Sequence, residues 1–88
     1  MDFLTLIKPI VEKKLLEINY KFNFQDEPIK NSITFDVESD NDIYVLTFWE
    51  NKTAELTKIK KSTNEIFCDS IEDIKMNGII EFLNKHFN

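Results

Sequence analysis

Eighty-eight residues suffice for one hydrophobic core but not two, so the chain reads as a single domain over 1–88. A 42% apolar and 12% aromatic content, with eight Phe, excludes a disordered chain, and the lone Cys68 excludes both a disulfide framework and a multi-thiolate zinc site. Sixteen acids against eleven cations, every one a lysine, give a net charge of −5 and weigh against a nucleic-acid surface, which needs net positive charge and favours arginine.

From Asp2 to about Asn19, the residues Phe3, Leu4, Ile7, Ile10, Val11, Leu15 and Ile18 recur at three- and four-residue steps, the pattern of an amphipathic helix. Pro9 in its path implies either a kink or a helix whose regular turns begin there. The period then drops to two. Tyr20, Phe22 and Phe24 alternate with Lys21 and Asn23 up to Gln25-Asp26-Glu27-Pro28, a first strand and its turn. Ile33, Phe35 and Val37 form a second strand, and Ile43 to Trp49 form the strongest one, rich in β-branched and aromatic residues.

A two-residue loop at Asp40-Asn41 pairs Val37 with Tyr44, Phe35 with Leu46 and Ile33 with Phe48, which defines a core face. A second two-residue loop at Asn51-Lys52 leads into a strand over Thr53–Lys60 and sets Ala54 and Leu56 on the opposite face, with Trp49 and Thr47. Lys61–Asn64 is a further loop, and Glu65–Asp69 a short fifth strand. Ser70 is positioned to cap a closing helix, with Asp73 three residues later at its positive end. Ile74, Ile79, Ile80, Leu83 and Phe87 form its apolar stripe, and Gly78 marks close packing or a weak first half. The expected fold is α+β: an N-terminal helix, an antiparallel meander of four to five strands and a C-terminal helix, in two layers.

No catalytic constellation follows from the residue inventory. The single His86 stands near the end of the closing helix, where it serves the last turn or meets solvent, and a Cys68–His86 pair has no support in spacing. Cys68 in Ile66-Phe67-Cys68 reads as a small buried hydrophobe. One glycine leaves no phosphate-binding loop. The acids Asp36, Glu38, Asp40 and Asp42 recur at every second position but lack the glycine and terminal glutamate of a calcium loop, so no metal and no cofactor is expected.

What remains is the second sheet face. If both helices cover the Tyr44-Leu46-Phe48 face, Ile43, Val45, Trp49 and Leu56 are left outside as a candidate face for self-association, beside a partner-binding set of Asp36, Glu38, Asp40, Asp42, Trp49 and Glu50. If one helix covers each face, Trp49 is core. The opening residues lack a basic secretory pattern, and no stretch approaches the roughly 18 apolar residues of a membrane span. The expectation is therefore a cytoplasmic chain with neither a membrane nor a direct nucleic-acid partner.

The order of a helix, the strand-and-turn Leu46-Thr47-Phe48-Trp49-Glu50-Asn51-Lys52, the strand Ala54-Glu55-Leu56 and a closing helix resembles the TriTu family of bacterial immunity proteins. The likeness runs from about Ile33 to Phe87, with Lys52 standing where the family pattern favours glycine. It implies a cytoplasmic partner of a polymorphic or contact-dependent inhibition toxin, often a basic nuclease domain, neutralised through a protein–protein interface.

Overall fold

A computed structural model describes residues 2–87. Helix α1 (Phe3–Glu17) leads into a sheet of β1 (Lys21–Glu27), β2 (Ser32–Glu38), β3 (Asp42–Trp49), β4 (Ala54–Lys60) and β5 (Ile66–Ile71), and α2 (Met76–His86) closes the fold. All neighbouring strands pair antiparallel in chain order, so the sheet is a five-stranded meander. The expected α+β architecture is the one observed.

Both helices lie on one face. Ile7, Val11 and Leu15 of α1, and Ile79, Phe82 and Leu83 of α2, join Ile33, Phe35, Val37, Tyr44, Leu46 and Phe48 in one buried cluster. Phe35 meets Phe48 edge-on at 6.5 Å, and Tyr44 packs against Phe87 at 4.8 Å. The β2–β3 register is the one read from the Asp40-Asn41 loop, with Val37 on Tyr44, Phe35 on Leu46 and Ile33 on Phe48.

Short connections in a chain with one glycine need other residues for left-handed backbone. Asn19, Asn31, Asn64 and Asp73 take positive φ, as short polar side chains tolerate. At the end of α1 this produces a complete helix stop, in which the Asn19 N–H bonds the Leu16 carbonyl and the Tyr20 N–H bonds the Leu15 carbonyl. Pro9 sits inside α1, which starts at Phe3 rather than at the proline.

The fifth positive φ, 67° at Lys52, corrects the second hairpin. The Lys52 N–H bonds the Trp49 carbonyl and the Trp49 N–H bonds the Thr53 carbonyl, both at 2.9 Å, so the loop holds three residues, Glu50-Asn51-Lys52, with the left-handed residue last. One extra residue reverses the faces of β4. Ala54 pairs with Phe48 and Leu56 with Leu46, both buried on the helix side.

The closing helix also starts later than expected. Ser70 and Ile71 are drawn into β5 by pairing with Glu55 and Ala54, so Ser70 caps nothing. The chain turns at Asp73, Ile74 enters the core, and α2 begins at Met76. A Cβ on Gly78 would meet Ile74 Cγ1 at 3.5 Å, an ordinary contact, so close packing does not require this glycine.

Candidate functional site: the open face of the sheet

The face away from the helices follows from parity along each strand. Its cross-strand rows are Lys21–Glu38–Ile43–Ile59–Ile66, then Asn23–Asp36–Val45–Thr57–Cys68, then Gln25–Thr34–Thr47–Glu55–Ser70, and last Glu27–Ser32–Trp49. Three isoleucines in the first row run from the middle of the sheet to its β5 edge. Ile43 is 40% exposed and Ile66 is 68% exposed. Trp49 is half-buried at the other end, against Ser32, whose side chain is buried. Thr34 and Thr47 share a hydrogen bond at 3.1 Å between them.

The acids named from sequence separate into different roles. Asp36 and Glu38 are on this face, as the Asp40-Asn41 register requires, but Glu38 is paired with Lys61, whose hydrogen bond lowers its carboxyl pKa. Asp40 is exposed in the turn and lines an open cleft of about 320 Å³ with Tyr20, Lys21, Glu38 and Lys61. Asp42 shares the parity of Tyr44, and its Oδ2 accepts the Tyr44 hydroxyl at 3.4 Å, so it belongs to the helix side. Burial is the main cause that raises the Tyr44 hydroxyl pKa to about 12.

Glu50 has a structural assignment instead. The Phe3 N–H donates to its Oε1 at 3.0 Å and the Leu4 N–H to its Oε2 at 3.4 Å. The first turn of α1 has no acid of its own. A carboxylate from the β3–β4 loop therefore satisfies two orphan donors and faces the positive helix end. Leu56, 1% exposed on the covered face, leaves the proposed self-association set, while Ile43, Val45 and Trp49 remain on the open face.

Glu55 stands on the open face instead. The true register turns it outward beside Thr47, and it is exposed. The apolar-acid-apolar run Ala54-Glu55-Leu56 carried that signal, because binary patterning alone places the two apolar residues in the core. Ile59 and Ile66 were missed for the same reason. Cys68 is exposed, not buried, because it pairs with Thr57 on the uncovered face.

His86 lies on the other side of β5. Its Nε2 is 2.8 Å from Asp69 Oδ2, Lys85 Nζ is 3.2 Å from the same oxygen, and Phe82 packs on the imidazole at 4.8 Å. These contacts, the His86 hydrogen bond foremost, hold the Asp69 carboxyl below its ordinary pKa. Cys68 and Asp69 are strand neighbours and point to opposite faces, so the cysteine and His86 are not brought together. The cluster clasps the end of α2 to β5.

Among the described residues no three His, Cys, Asp or Glu side chains are grouped as a metal site, and no helix is long and apolar enough to cross a membrane. The chain matches no protein-family model, no curated protein and no solved structure.

Proposed function

We propose that the chain is an immunity protein that binds a cognate bacterial toxin domain of the basic nuclease type and neutralises it in the cytoplasm. The observation that carries this reading is the composition of the open face. Apolar groups that would normally be covered, Ile43, Ile59, Ile66 and half-buried Trp49, lie beside Asp36 and Glu55. Exposed apolar patches rimmed by charge mark protein-binding surfaces, and acids on such a patch steer encounter with a basic partner. The resemblance in the Trp49-Glu50 turn points the same way.

In this reading the acids engage lysines and arginines with which the toxin holds its nucleic acid, and Trp49 supplies an aromatic anchor at one end of the contact. The test is co-expression with the variable C-terminal domain of a secreted protein encoded upstream. Wild type should restore growth, and Asp36→Lys combined with Glu55→Lys should abolish rescue while the variant stays folded. Equal killing with and without the wild-type chain would refute the reading.

Self-association is a second reading, favoured by the exposure of Ile43 and Ile66 in one apolar row. Light scattering separates the two. A concentration-dependent dimer that Ile43→Lys dissolves would support it, and a monomer throughout would remove it.

A further inference from the structure

The two edges of the sheet are built differently. On β1, the open-face positions are Lys21, Asn23, Gln25 and Glu27, and Asp26 places a charge on the inner face beside Phe22 and Phe24. Charges of this kind, inward ones above all, blunt an edge against further pairing. Strand β5 lacks that protection over its first half. Ile66 is 68% exposed, Phe67 51%, and Cys68 is exposed. Its inward acid, Asp69, is neutralised by Lys85 and hydrogen-bonded to His86. Among the described residues no loop or side-chain hydrogen bond reaches the outward backbone groups of β5.

We propose that β5 is a docking edge that receives an extended, lysine- or arginine-bearing segment of a partner protein as a sixth strand. Backbone pairing supplies the attachment, and alternate side chains of the incoming segment meet Ile66 on the open face and Phe67 on the helix side. The residues flanking these contacts set the charge of the occupant. Glu65, Glu72 and Asp73 fall within nine residues that contain no lysine. Lys85 is engaged with Asp69, and Lys58 on β4 pairs with Phe67. A second copy of the chain is disfavoured, since antiparallel pairing of two β5 strands over their full length sets Glu65 of one against Glu72 of the other, and like charges directly opposite destabilise a strand pair. This inference does not depend on the partner being a toxin.

The probe is a short blocked peptide alternating lysine with valine, titrated into the full chain and followed by backbone amide shifts and hydrogen exchange. The control peptides are the same sequence with alternate N-methyl amides along one edge and a version with glutamate for lysine. The expected result is shift and exchange protection confined to residues 66–71, weakened by salt. Removing the backbone donors should weaken binding at least about tenfold, and the glutamate peptide should not bind. In the Glu65→Lys, Glu72→Lys double variant the preference should move toward the glutamate peptide. Absence of binding, equal binding of the N-methylated peptide, perturbation of β1 instead of β5, or β5 shifts that grow with protein concentration alone would each overturn the proposal.

Discussion

The two faces of the sheet come from the same strands yet obey different constraints. On the helix side, Phe35, Leu46 and Phe48 are fully buried and packed from two helices. On the other side, Val45, Thr47 and Trp49 alternate along β3 with Leu46 and Phe48 and are only partly buried. Stability is therefore concentrated on one face, and the other is free to be shaped for recognition.

The sharpest way to break this comparison is substitution across one strand. Phe48→Ala should cost about 3–5 kcal/mol, while Val45→Ala, three residues away on the open face, should cost under about 1 kcal/mol. Urea unfolding midpoints at constant m-value provide the comparison. Equal losses would mean that the open face is packed in solution.

Glu50 probes a site that joins the two regions through the β3–β4 loop. Removing the carboxylate leaves the Phe3 and Leu4 donors without their partner, so Glu50→Ala should destabilise by about 1–2 kcal/mol, the loss expected for a helix cap. Circular dichroism should show the loss together with fraying of α1. In the same loop, Lys52→Gly relieves left-handed backbone at a non-glycine residue and should stabilise by about 1 kcal/mol. Loss of stability instead would show that the Lys52 side chain packs.

A smaller effect on the helix side of β5 depends on pH. Hydrogen bonds from His86 and Lys85 lower the native carboxyl pKa of Asp69, so the folded state releases that proton at lower pH than the unfolded one. The resulting stabilisation is complete above about pH 4 and is lost as pH falls through the native value. Asp69→Asn should flatten the decline in unfolding midpoint between about pH 4 and pH 2.

Much of the fold was legible because local pattern and packing agreed. The alternations around Ile33–Val37 and Tyr44–Phe48 allowed one register across Asp40-Asn41, and it is the observed one. The next hairpin was not legible from loop chemistry, since the left-handed position is occupied by lysine where asparagine or glycine would have signalled it. Ser70 carried a capping signal that strand pairing with Glu55 overrode. The open face itself could be foreseen only as one of two arrangements. The bond from Glu50 to the start of α1 spans 47 residues, and no local pattern announces a contact of that range. Cys68 followed its register rather than the apolar run in which it stands.

The central claim is that recognition belongs to the open face. It is tested most directly by mapping the side-chain methyls of Ile43, Val45 and Ile59 and the Trp49 indole by NMR as the proposed partner domain is added. Perturbation of these signals, with those of Ile7, Val11, Ile79 and Leu83 unmoved, is the result expected. Perturbation confined to the helix residues, with the open-face methyls and the Trp49 indole silent, would contradict it.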